Sequence, residues 1–213
     1  MMGITQQQAD TFHRNGWLAV EGLLSSEEVA VLNRRADDII LGEKFPEVSA
    51  RCVQIEPDVK EQIDAGKARS ADAVRTLRGT AKHDDLFQAH VRNPKILDIV
   101  EALIGPEICF FGDLLFNKPA VYGSEKPWHQ DNASLGIEPA SSLIGCWVAL
   151  DDADVENGCM RFVPGSHTWG LLQHERDPFG SHVELPALVE ELRRRRLVGP
   201  GEGRDAELRE VVQ

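Results

Sequence analysis

No run in this chain approaches the about eighteen consecutive apolar residues that a membrane-crossing helix needs. Its start also lacks the basic-then-apolar pattern of a secretory leader, and Gln7 stands where an N-myristoylation signal would want Ser or Thr. Cysteine is sparse: Cys52, Cys109, Cys146 and Cys159 are scattered, with no CxxC pair. That excludes a dense disulfide framework and favours reduced thiols in the cytoplasm. Positive charge is short as well, with 23 Lys and Arg against 35 Asp and Glu, a net charge of -12. Such a balance gives no global attraction to nucleic acid or to an anionic membrane. The chain carries no glycine-rich phosphate loop, no nucleophile elbow, no basic groove with interleaved aromatics, no internal repeat and no low-complexity tract.

What is present suits one globular domain. The 213 residues are 42% apolar and 27% charged, enough for a sizeable core and far from a disordered composition. The first third reads as helical. Thr5 and Gln8 have capping-box spacing with Gly16 as a stop, and Ser25 and Glu28 repeat the device. Val29, Leu32, Ala36 and Ile39 then recur at helical spacing up to Gly42. Asn93-Pro94 opens a third helix, carrying Ile96, Leu97, Val100 and Leu103 to Gly105-Pro106. Residues 43 to 92 between them are polar and irregular, consistent with a short helix or a loop over a site.

From Ile108 the texture changes to short strand-like runs with turn signals between them. "ICFFGDLLFNKP" ends at Pro119, "PWHQDNA" is short, "SLIGCWVAL" is continuously apolar, and "GCMRFVPG" follows the Asn157-Gly158 turn. In the third run Ile144, Cys146, Val148 and Leu150 share one face and Gly145, Trp147 and Ala149 the other, which predicts a strand buried between two layers. Helices first and closely spaced strands afterwards predict a mainly β or α+β domain, with helices outside a sandwich or barrel. A further amphipathic helix is expected over Pro186 to Leu197. "ELREVVQ" then reads as the start of a strand.

The chemistry centres on "KPWHQDNA". In a strand, residues i and i+2 lie roughly 7 Å apart on one face, so His129 and Asp131 can converge on one ion. An imidazole and a carboxylate, with a second histidine, make the facial triad of non-haem Fe(II) oxygenases. The stretch "WHQDNASLGIEPASSLIGCWVALDDADVENGCMRFVPGSH" resembles the core of the phytanoyl-CoA dioxygenase family of Fe(II)- and 2-oxoglutarate-dependent oxygenases. The resemblance rests on an HxD, an apolar strand with "WVAL", a D-A, "ENGC", a short strand and "PGSH", all in order.

The resemblance implies a double-stranded β-helix, a cupin-like jelly roll flanked by N-terminal helices, forming a single domain over residues 1–213. It implies Fe(II) held by His129 and Asp131, with 2-oxoglutarate and O₂ as cosubstrates and a small organic molecule hydroxylated while 2-oxoglutarate yields succinate and CO₂. Trp147 would line the cosubstrate pocket, as would Leu114 and Phe116. Lys118 also matches the family, although a solvated strand-end lysine explains it equally well.

The family's second histidine and its 2-oxoglutarate-binding arginine belong on a later strand, beyond "ELREVVQ", so the domain is expected to lack its C-terminal strands. His167 of "PGSH" reads as a turn or rim hydrogen bond, and His174 and His182 as loop residues. Arg193 to Arg196 read as a solvated helix face, and Asp151, Asp152 and Asp154 as a solvated turn. Two alternatives stand beside a dioxygenase: a catalytically silent jelly-roll protein that binds a ligand or partner, and a cupin-like metal enzyme using no 2-oxoglutarate. Oligomeric state and substrate identity are not legible.

Overall fold

The computed structural model describes residues 3–177, 180–195 and 197; the expected strand "ELREVVQ" lies outside them. The capping devices read from the sequence place the first helices. In α1 (Gln6–Asn15) the Gln8 N–H donates to Thr5 Oγ1 at 3.2 Å while the Thr5 N–H donates to Gln8 Oε1 at 2.8 Å, and Gly16 closes the helix at φ 84°. Ser25 and Glu28 do the same for α2 (Ser26–Leu41), which Gly42 ends. Each pair satisfies main-chain donors that a helix start leaves without partners.

The segment 43 to 92 differs from its expectation. It folds into α3 (Pro46–Cys52), β1 (Val53–Ile55), α4 (Lys60–Asp64), β2 (Val74–Arg78) and α5 (Asp85–His90). Its strand β2 is the centre of the main core: Val74 and Leu77 are fully buried and pack with Leu32, Ala36 and Ile39 of α2 and with Phe87 of α5. The apolar area removed from water there supplies the main drive for folding. Helix α6 (Pro94–Ile104) begins at the Asn93 cap as expected.

Strand β3 (Leu114–Phe116) pairs antiparallel with β2, placing Leu77 opposite Leu115, and completes a three-stranded sheet in the order β1-β2-β3. At its margin Glu56, 2% exposed, accepts from Arg75 Nη1 at 2.9 Å, from the Ser124 N–H at 3.1 Å and from Ser124 Oγ at 2.7 Å. This satisfies a buried carboxylate that would otherwise be costly.

Beyond β3 the expected strands are not formed among the described residues. The HxD segment runs without strand pairing into the single turn α7 (Asn132–Leu135). Residues 143–150 have no strand partner, and Trp147 is 51% exposed where a strand buried on both faces was expected. A second, two-stranded sheet follows, β4 (His174–Asp177) with β5 (Gly180–Val183), and then α8 (Leu185–Arg194), which matches the helix predicted there. Helices therefore outweigh strands among the described residues, contrary to a mainly β balance, and no closed jelly roll is formed in them.

A second core lies under the hairpin. Val163, Val183, Leu188 and Leu192 are buried with Trp128, Trp169, Leu172 and Leu185 against them. Trp128 immediately precedes the HxD histidine, so this core carries the site on its edge. No helix among the described residues is long and apolar enough to cross a membrane.

Candidate metal centre

The two HxD donors meet, by a route other than strand alternation. His129 leaves an unpaired segment, and Asp131 already has helical angles (φ -54°, ψ -39°) as the cap of α7. His129 Nε2 nevertheless lies 3.3 Å from Asp131 Oδ1, with the two side chains 31% and 71% exposed. The other ring nitrogen, Nδ1, is 2.8 Å from the Pro127 carbonyl, which can only accept. That bond places the proton of a neutral imidazole on Nδ1 and turns the Nε2 lone pair toward the carboxylate. Two acceptor atoms 3.3 Å apart repel unless a proton or a cation lies between them. With a proton on Nε2 the hydrogen bond from His129 holds the Asp131 carboxyl below its ordinary range; partial burial opposes this, and the charges of His129 and Lys126 add to it.

The HxD segment is gripped from one side. Gln130 Nε2 donates to the Gly170 carbonyl at 2.8 Å, and the Leu172 N–H donates to Gln130 Oε1 at 2.8 Å. The Gln130 N–H donates to His174 Nε2 at 3.0 Å, while His174 Nδ1 donates to the Leu172 carbonyl at 2.8 Å. Finally the Val183 N–H donates to the Trp128 carbonyl at 2.7 Å. Both nitrogens of His174 are thus occupied by main chain, so it orients the motif and offers no lone pair to a metal. On the other side Gly145 approaches: a Cβ there would come 3.9 Å from Asp131 Oδ2. The apolar run 143–150 therefore passes beside the carboxylate, with no side chain of residue 145 in between.

Of the expected pocket residues, Leu114 (38% exposed) and Phe116 (42%) lie on the face of β3 opposite Leu115, and Trp147 lies two residues past Gly145. Phe110 and Phe111 are exposed too, so this stretch presents an apolar surface. Behind His129 a small cavity of about 100 Å³ is lined by Trp128, Arg161, Phe162, Trp169 and Val183 among others. A larger hollow of about 550 Å³ lies between α2, α5 and the start of α6 and includes no HxD residue.

Other expectations resolve by contact. Lys118 Nζ donates to the Gly158 carbonyl in the "ENGC" turn, so it braces that turn. His167 Nε2 is 3.1 Å from the His13 carbonyl, docking "PGSH" against the end of α1; a Cβ at Gly16 would collide with its ring. Arg194, exposed, pairs with Glu191 as a solvated helix face would, but Arg195 follows the end of α8, pairs with Glu191 and lies over the Trp169 ring at 4.7 Å; Arg196 lies outside the described residues. Among the described residues, no group of three His, Cys, Asp or Glu side chains with converging donors contains His129 and Asp131. Sequence reading missed Gln130 and His174, whose partners lie 40 and more residues away.

A model of the phytanoyl-CoA dioxygenase family, PhyH, matches residues 12–194. The chain belongs to this family. It is 33% identical over 211 residues to phytanoyl-CoA dioxygenase domain-containing protein 1 of Danio rerio, covering 84% of this chain and 71% of that protein. It is 26% identical to the peroxisomal phytanoyl-CoA dioxygenase of Rattus norvegicus over 175 residues, 81% of this chain and 50% of that one. A phytanoyl-CoA dioxygenase of Arabidopsis thaliana is 26% identical over 192 residues. The chain thus spans about half the length of the peroxisomal relative. The family has a cupin-like fold and consists in general of Fe(II)- and 2-oxoglutarate-dependent oxygenases.

Proposed function

We propose that this chain is an Fe(II)- and 2-oxoglutarate-dependent dioxygenase that hydroxylates a small organic substrate, with residues 1–213 belonging to a single cupin-like domain. The observation that carries it is the His129 Nε2 to Asp131 Oδ1 approach of 3.3 Å, with Nδ1 committed to the Pro127 carbonyl. Metal-binding histidines characteristically give their second ring nitrogen to such an acceptor, which fixes the tautomer and raises ligand basicity. His129 and Asp131 are then the two iron donors. When bound, the metal and 2-oxoglutarate together supply the activation of O₂.

The chain's own residues do the positioning. Pro127 sets the imidazole, Gln130 and His174 fix the main chain between the donors, and Leu114, Phe116 and Trp147 supply an apolar wall for the cosubstrate. The jelly roll is the arrangement in which residues 108–113 and 143–150 would gain strand partners and the apolar faces of 108–116 and 143–150 would be covered. A complete triad needs one donor more than the described residues bring to the pair.

That last point favours a second reading, a binding protein of the same family without turnover. Anaerobic titration with Fe(II) in the presence of 2-oxoglutarate separates the two. The dioxygenase reading predicts the weak visible charge-transfer band of an iron-bound 2-oxo acid, absent in His129→Ala. A folded chain that develops no such band supports the silent reading instead.

A further inference from the structure

We propose that Glu175, His182 and Glu184 form a divalent transition-metal site of their own, on the outer face of the β4–β5 hairpin. The register places Glu175 directly opposite His182, so their side chains leave the sheet on the same side. Glu184 follows two residues after His182 and returns to that side, with its Oε1 3.4 Å from His182 Nε2. One donor atom from each of the three lies within 4.8 Å of the other two. Glu184 also stands at the cap position of α8 and makes no side-chain capping bond there; its carboxylate is turned to the cluster.

Two carboxylates held this close in a chain of net charge -12 repel, and a cation between them removes the repulsion. One imidazole and two carboxylates without a thiolate suit borderline ions such as Zn²⁺, Co²⁺ or Fe²⁺, or the harder Mn²⁺, with water filling the remaining positions. Lys126 Nζ is near the hairpin turn, against Gly180.

The opposite face of the same hairpin explains what the ion would do. His174 and Val183 are a register pair, and through them the hairpin takes the Gln130 N–H and the Trp128 carbonyl. His182 and Glu184 flank Val183. A metal on the outer face would therefore tie β4 to β5 at the point where the inner face holds the segment of His129 and Asp131. The site is structural, and its existence does not depend on the dioxygenase reading.

The test is titration with Co(II) alone, followed by its visible d–d bands, into the His129→Ala, Asp131→Ala double variant. Circular dichroism verifies that each protein is folded. One equivalent should bind without the intense near-ultraviolet band of sulfur coordination, which excludes the four free thiols. It should raise the thermal midpoint. Glu175→Gln and Glu184→Gln, each added to this background, should weaken binding about tenfold or more, and His182→Ala should abolish it. A folded double variant that takes up no Co(II), or one whose affinity is unchanged by Glu175→Gln and Glu184→Gln, overturns the proposal and leaves an ion pair between His182 and its carboxylates. Because iron binding at His129 is absent from this background, failure here leaves the dioxygenase reading intact.

Discussion

Gln130, the middle residue of the motif, spends its main-chain N–H and both atoms of its side-chain amide on residues 170–174. Its replacement by alanine removes two hydrogen bonds and leaves the Gly170 carbonyl and the Leu172 N–H to find other partners. Gln130→Ala should cost about 1–2 kcal/mol in chemical denaturation. Through loosened donors, it should also lower Fe(II) affinity about 10 to 100-fold. An affinity equal to that of the unaltered chain would show that the donors hold their geometry without this frame. The proposed donors could be picked out because histidine and aspartate two apart are a local pattern. Their frame could not: Gln130 looks like any polar residue until β4 is placed beside it.

At the scale of elements, the two capping boxes were legible because every bond in them spans three residues. Glu28 has a second duty, accepting from Lys95 Nζ at 2.8 Å and so joining the start of α2 to the start of α6. This bond, with those from the Ser25 main chain and hydroxyl, lowers the Glu28 carboxyl to about 2. A depressed carboxyl stabilises the folded state above its ordinary value of 4.5, and that contribution fades as pH falls from there through about 2. Glu28→Gln should therefore be less stable than the unaltered chain at pH 7 by urea denaturation, with the gap narrowing as the pH approaches 2. A gap that stays constant over that range would contradict the Lys95 bond. Strand β2 was hidden for a different reason. Val74, Thr76 and Leu77 are all buried, and β1 pairs with it through an irregularity between Gln54 and Ile55. Adjacent buried residues break the period of two on which strand recognition depends. Residues 143–150 failed in the opposite sense, since an apolar run predicts burial only when other elements cover it. Here Asn33 Nδ2 holds the Leu150 carbonyl at 2.6 Å, but the run itself gains no strand partner among the described residues.

Across the whole molecule, the described residues form two separate cores, the second of which includes Trp128 beside the motif. The first packs α2, β2 and α5, and the second packs the hairpin and α8 around Trp128 and Trp169. The larger hollow belongs to the helical side, and its lining includes neither His129 nor Asp131. The proposed metal site rests instead on a histidine whose Nδ1 is committed and whose Nε2 faces a carboxylate. The most direct measurement of that claim is a long-range proton–nitrogen correlation spectrum of the imidazole groups, recorded with and without Zn(II) and assigned with His129→Ala. The account predicts that neutral His129 carries its proton on Nδ1 and that Zn(II) shifts its Nε2 resonance, with the shift lost in Asp131→Ala. A His129 protonated on Nε2, or one whose resonances ignore the metal, would contradict it.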